Sequence, residues 1–144
     1  MWDGPLAVKG ILSARDAKRA ADAGVDAVVV SNHGGRQLDH VPATIDVLGD
    51  IVSAVGDRIE VLVDSGFRRG TDIFAALALG ARAVLVGRAY LYGLAAAGEA
   101  GVSHAIDILR GELRTAMALA GAPTIDSIDP GLLEYKPPRH IRID

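Results

Sequence analysis

Four short stretches of this 144-residue sequence hold most of the residues able to do chemistry. They are Lys9; the run Ser31-Asn32-His33-Gly34-Gly35-Arg36-Gln37-Leu38-Asp39; the run Asp64-Ser65-Gly66-Phe67-Arg68-Arg69-Gly70; and Gly87-Arg88. His33 lies on a glycine-flanked stretch three residues before Arg36. A neutral imidazole can take up a proton, and a guanidinium grips a carboxylate through two parallel hydrogen bonds. The pair suits a substrate with an acidic proton beside a carboxylate. Gly66 with Arg68, and Gly87 with Arg88, read as two adjacent phosphate cradles. In such a cradle glycines precede a helix N-terminus, whose backbone amides and dipole favour an anion. A lone glycine is more simply a turn residue; two Gly/Arg ends on neighbouring strands argue for the cradle. Lys9, at a strand end and just before Gly10, is well placed to meet a buried anion. Asp64 is either a helix cap or a partner for a ligand hydroxyl, and spacing leaves both open. His40, His104 and His140 lack such company and read as surface or packing residues. Tyr90 and Tyr92 read as packing groups, and Arg15, Asp16, Lys18 and Arg19 as a solvated helix face.

The elements that must position these groups alternate regularly. Leu6-Ala7-Val8 is a first apolar run, closed by Lys9 and Gly10. Ser13 caps a helix, with Asp16 in the capping-box position, and the helix ends near Gly24. Val25 to Val30 is a β-branched run suited to a buried parallel strand. After the polar stretch from Ser31 to Val41, Pro42 starts a second helix with Ile45, Leu48, Ile51 and Val52 on one face. Val61-Leu62-Val63 is a third strand, and Thr71 caps a third helix that ends at Gly80. Ala83 to Val86 is a fourth strand. A long helix follows, with Val102, Ile106, Leu109, Leu113 and Met117 at helical spacing, closing near Gly121. The segment from Pro130, with Pro137-Pro138, reads as an extended tail. Four βα units of this kind imply an α/β fold with parallel strands and right-handed crossovers. They make half of a (β/α)₈ barrel or a small doubly wound sheet, and repetition alone does not choose. In either, ligands bind at the C-terminal ends of the strands, where all four stretches fall.

Composition narrows the function. Half the residues are apolar and 23% are charged, as in ordinary globular domains. A net charge of −3 gives no reason to expect a nucleic-acid partner. The absence of cysteine excludes disulfides and thiolate metal sites, and no metal is expected. No apolar run reaches bilayer-spanning length. The first residues have neither a basic n-region nor an apolar h-region, so a cytoplasmic setting is expected.

Val8-Lys9-Gly10, the run around His33, Asp64 through Asp72, and Gly87-Arg88 together resemble the FMN-dependent α-hydroxy-acid dehydrogenases and oxidases. That family includes glycolate oxidase, lactate oxidase and mandelate dehydrogenase. Asp64-Ser65-Gly66-Phe67 and Leu91-Tyr92-Gly93-Leu94 look most like the mandelate dehydrogenase branch. The resemblance reaches to about Asp129, with the nine-residue His33 run its most specific part. It implies that residues 1–129 are the C-terminal half, strands five to eight, of a (β/α)₈ barrel, and that 130–144 are a tail. It implies FMN as cofactor, held by Lys9, Ser31, Asp64, Gly66, Arg68, Gly87 and Arg88, with Lys9 against the pyrimidine edge. His33 would be the catalytic base and Arg36 the group that binds the carboxylate of a small 2-hydroxy acid of lactate or mandelate type. Two active-site tyrosines and the aspartate that orients the histidine would lie on four earlier strands. The isolated chain is therefore expected to turn over weakly or not at all, and to work with a complementing N-terminal half-barrel chain or as a homo-oligomer. Two other readings are a non-catalytic FMN- or phosphate-binding half-barrel that self-associates, and another phosphate-binding barrel enzyme, IMP-dehydrogenase-like or an isomerase. The His33 and Arg36 pair argues against the last.

Overall fold

The β-branched runs become the strands of one parallel sheet. The computed structural model describes residues 2–134. Its elements are β1 (Ala7–Ile11), α1 (Ala14–Asp22), β2 (Ala27–Val30), α2 (Thr44–Val55), β3 (Glu60–Val63), α3 (Gly70–Ala78), β4 (Ala83–Val84) and α4 (Arg88–Ala120). Short 3₁₀ turns follow at Ile125–Ser127 and Pro130–Leu132. The four strands are parallel and lie in chain order, β1-β2-β3-β4, with no reversal.

Strand side chains alternate between the two faces of a sheet. One set, Val8, Val28, Val30, Val61, Val63 and Val84, packs into a core with Ala17 and Ala21 of α1, Leu48, Ile51 and Val55 of α2, and Ala76 of α3. The other set is in register across all four strands: Lys9 opposite Val29, Val29 opposite Leu62, Leu62 opposite Ala83. None of this second row belongs to the helix-packed core. Ala83 is exposed, and Leu85, just beyond β4, is 40% exposed. The sheet thus has one face packed by helices and one that joins no helix-packed core, on which Val29 is buried and the β4 end exposed among the described residues.

Several boundaries differ from the sequence reading. Lys9 and Gly10 lie inside β1, because pairing with β2 continues through a bulge: Lys9 pairs with Val29 and Ile11 with Val30, leaving Gly10 over. α2 begins at Thr44, since Ala43 keeps an extended backbone after Pro42. β4 stops at Val84. Ser13 does cap α1, accepting a 3.1 Å hydrogen bond from the Asp16 amide. Thr71 does not cap α3. The Asp72 carboxylate does so instead, accepting from the Arg68 and Arg69 amides at 2.9 Å each.

The long helix is broken at Ala97 and Gly98, both non-helical. Gly98 has φ 59° and ψ −140°, a conformation available essentially to glycine alone. The two arms fold against each other where Gly93 meets Gly101, and a Cβ on either would collide with the other's backbone. Tyr92 is 69% exposed and not a packing group, whereas Tyr90 is half-buried. Residues 130–134 are not wholly tail, because Leu133 packs against the α3–α4 cluster of Phe74, Ala78, Ala122 and Ile128. Pro137, Pro138 and His140 lie outside the described residues.

Gly70 is the point of closest approach between α3 and α4. A Cβ there would collide with the backbone at Glu112 and Leu113. Backbone cannot rotate aside as a side-chain tip can, so Gly70→Ala must push the helices apart. Overpacking of this kind costs about 1–3 kcal/mol. Urea unfolding of Gly70→Ala is expected to show a lowered midpoint with unchanged slope; an unchanged midpoint would contradict the close contact.

Candidate cofactor and active site

The ends of the first three strands are tied by one polar network. Ser31, the first residue after β2, is fully buried. Its amide bonds to the Ile11 carbonyl at 3.2 Å. Its hydroxyl accepts from Lys9 Nζ at 2.7 Å and from the His33 amide at 3.1 Å. Lys9 Nζ also pairs with Asp64 Oδ2 at 2.8 Å. Ser65 Oγ donates to Asp64 Oδ1 at 2.7 Å and accepts from the Gly34 amide at 3.1 Å. Beneath this, the buried Thr44 hydroxyl reaches the carbonyls of Asp64 and Ser65 at 2.7 and 3.2 Å. Burial pushes the Asp64 carboxyl up, but hydrogen bonds from Lys9, Ser31 and Ser65 and the Lys9 charge outweigh it, and the group lies below its ordinary value.

The loop after β2 is anchored at several points. The Asn32 side chain accepts from the Gly34 amide at 3.0 Å, and Arg88 Nη2 donates to the Gly34 carbonyl at 3.2 Å. His33 has φ 56° and Ser65 φ 76°, a left-handed backbone that is uncommon outside glycine and concentrates at functional sites.

Above the network lies a groove of about 570 Å³, within the usual range for small-molecule sites. Eight of the nine site residues read from the sequence line it: Lys9, His33, Arg36, Asp64, Gly66, Arg68, Gly87 and Arg88. Ser31 lies below and acts on the groove through Lys9 and His33. Arg36 and Arg68 form no ion pair among the described residues, and Lys9 is offset by Asp64. The groove therefore presents guanidinium groups at Arg36, Arg68 and Arg88.

The two cradles expected from the sequence are not equivalent. At the start of α3, Asp72 holds the Arg68 and Arg69 amides. Glu112 of α4 takes the Gly70 amide at 2.7 Å and the Arg69 guanidinium at 3.0 Å. This helix end already has its anions. The start of α4 has none: Gly87 gives no side-chain cap, and no acidic residue stands in the first turn. A bound anion is therefore favoured at α4, with Gly66 and Arg68 contributing from the facing wall. This asymmetry was not legible locally, because Glu112 arrives from 42 residues away. Ser65 and Thr44 were also missed as site-building residues. Ser65 stands inside the Asp64 motif, whereas Thr44 gives no signal beyond a hydroxyl at a helix start.

This fold and groove define a class: a parallel α/β protein with an arginine-lined groove at the carboxyl ends of its strands. The family model for FMN-dependent dehydrogenase matches residues 1–135, and the chain belongs to that family. It is 61% identical over 124 residues to a peroxisomal (S)-2-hydroxyacid oxidase of Arabidopsis thaliana, covering 86% of this chain and 34% of the relative. It is 55% identical over 138 residues to an L-lactate dehydrogenase of Caulobacter vibrioides, covering 96% of this chain and 36% of the relative. Among solved structures it matches a soluble mutant of the membrane-associated (S)-mandelate dehydrogenase from Pseudomonas putida, with a TM-score of 0.90 and 50% identity, over 94% of this chain and 38% of that one. The chain thus spans roughly a third of the length of the relatives it matches. FMN is the cofactor of this family. The match sets aside the IMP-dehydrogenase-like or isomerase reading. No helix among the described residues is long and apolar enough to cross a membrane; the relatives include peroxisomal and membrane-associated proteins, which lend a cytoplasmic setting no support.

Because Asp64 lies below its ordinary value of 3.8, its contribution to stability is present above that pH and lost as pH falls through the lowered value. Asp64→Asn is expected to lower the unfolding free energy by about 1–3 kcal/mol at pH 7, as for a lost charge-assisted hydrogen bond. In chemical denaturation from pH 7 to 2, the gap from wild type should narrow below 3.8. A gap that does not depend on pH would rule out the ion pair as its source.

Proposed function

We propose that this chain is the C-terminal half, strands five to eight, of a (β/α)₈ barrel that oxidises an L-2-hydroxy acid of lactate or mandelate type to the 2-oxo acid with FMN. Residues 1–129 form the half-barrel, and the segment from 130 follows it with Leu133 packed back against α3 and α4. Strand order without reversal and a sheet covered on one face support the half-barrel over a doubly wound sheet, which carries helices on both faces. The convergence of His33 and Arg36 with the uncapped start of α4 on one groove carries the functional reading.

The donor set fits FMN. Its dianionic phosphate suits the free α4 terminus with Gly66, Arg68, Gly87 and Arg88 around it. Asp64 and Lys9 then stand along the same groove toward the His33 end. When bound, FMN supplies the electron acceptor. Arg36 binds the substrate carboxylate and fixes its orientation. His33 takes the proton released from the α-carbon or its hydroxyl. Lys9 keeps a fixed positive charge beside the reacting groups, held there by Ser31 and Asp64.

Two measurements test this reading. FMN should quench on titration with the chain, and riboflavin, which lacks the phosphate, should bind at least ~10-fold more weakly, a difference of about 1.4 kcal/mol. Equal affinities would remove the phosphate cradle. With added FMN and a dye acceptor, the isolated chain should oxidise 2-hydroxy acids weakly or not at all; robust turnover by monomer would overturn the need for a complementing half.

A non-catalytic, self-associating FMN-binding half-barrel is the second reading. The unpaired edges at β1 and β4 and the exposed Leu85 favour it, because such features invite association. Sizing with and without FMN separates the two: a monomer indifferent to FMN excludes the second.

A further inference from the structure

The bulge in β1 does more than shift the pairing with β2. Gly10 is its extra residue, with φ 97°. A Cβ built on Gly10 would stand 2.8 Å from His33 Nε2, 3.5 Å from Cε1 and 3.8 Å from Cδ2. The tip of the imidazole therefore occupies the space that any other residue's side chain would fill. No hydrogen bond or ion pair to the ring occurs among the described residues. The ring's placement rests on two things. One is the left-handed His33 backbone, pinned by its amide on Ser31 Oγ. The other is the notch at Gly10.

We infer that Gly10 is a positioning residue for His33: its missing side chain forms the seat that sets where the imidazole nitrogen stands in the groove. The inference rests on His33 being the proton-accepting group of the proposed reaction. Gly10 also lies directly after Lys9, so the bulge brings the lysine and the imidazole together at the same end of the sheet. A side chain at position 10 displaces the ring. An exposed imidazole with two free torsions yields easily, so the contact itself costs little stability. The stability lost in a variant comes mainly from placing a side chain at a positive φ. Position and stability are therefore separable.

Gly24 supplies the control. It has φ 83° in the α1–β2 turn, and nothing lies within 4 Å of a Cβ built there. Gly10→Ala and Gly24→Ala carry the same kind of backbone strain, but only the first meets His33. The experiment is NMR on the full 144-residue chain, with the ring protons of all four histidines assigned. In the wild-type protein, ring protons of His33 should show NOEs to the Gly10 α-protons. In Gly10→Ala the His33 ring resonances should shift, while those of His40, His104 and His140 stay in place. Gly24→Ala should lose stability with no shift at His33. The absence of the wild-type NOE would overturn the inference even if Gly10→Ala fails to fold. So would a His33 ring unmoved in a folded Gly10→Ala. Neither result depends on FMN or turnover, so failure here is distinct from failure of the functional reading, which the flavin titration and the oxidation assay judge separately.

Discussion

One ammonium group, shared between a serine and a carboxylate, holds the site together. Lys9 Nζ joins β1 to the end of β2 through Ser31 and to the end of β3 through Asp64. Each partner is committed elsewhere as well: Ser31 to the His33 amide, Asp64 to the Ser65 hydroxyl. An exposed pair of this kind would contribute little. Here the Ser31 hydroxyl is fully buried and the Asp64 side chain 19% exposed, while the Lys9 side chain keeps 41% of its surface. Removing Lys9 leaves the Asp64 carboxylate bonded to Ser65 but without its counter-charge, which costs more than an exposed pair contributes. The network therefore serves mainly to specify geometry. It sets how the loop after β2 leaves the sheet, and so where His33 and Arg36 enter the groove.

Charge is divided between the two walls of that groove. Side chains of the protein itself neutralise the start of α3, with Asp72 reaching back along the chain and Glu112 crossing from α4. The same Glu112 contact tightens α3 against α4 where Gly70 lets the backbones meet. The start of α4 has no side-chain cap and no acidic residue in its first turn. A helix end capped by a carboxylate contributes stability, and one left uncapped gives it up for binding. The fold does one at each of two adjacent strand ends, so of the two only the start of α4 lacks a carboxylate of the chain.

Much of this was legible in the sequence because the signals were local. The valine run before Ser31 and the alternation of apolar runs with amphipathic stretches disclosed a parallel sheet. Ser13 and Gly121 marked helix ends that the structure retains. His33, Arg36 and the two Gly/Arg ends stood out because all follow strands. What stayed hidden depends on distant partners. The break at Gly98 vanishes into an alanine-rich stretch whose periodicity continues on both sides, and it goes with a contact between Gly93 and Gly101 that local sequence does not announce. Lys9 read as a strand end because a bulge has no signature beyond a glycine. The occupied start of α3 depends on a glutamate from another helix. In each case tertiary contact decided what local pattern could not.

The central claim is that an anion is held at the start of α4, on the rim that also carries His33. Amide chemical-shift mapping during titration with FMN tests this most directly. The account predicts the largest perturbations at Gly66, Gly87, Arg88 and Ala89, with His33 also responding. Gly70, whose amide already belongs to Glu112, should change little. Perturbations centred instead on Gly56 and Gly80, which border a separate cavity with Asp57 and Arg82, would contradict it.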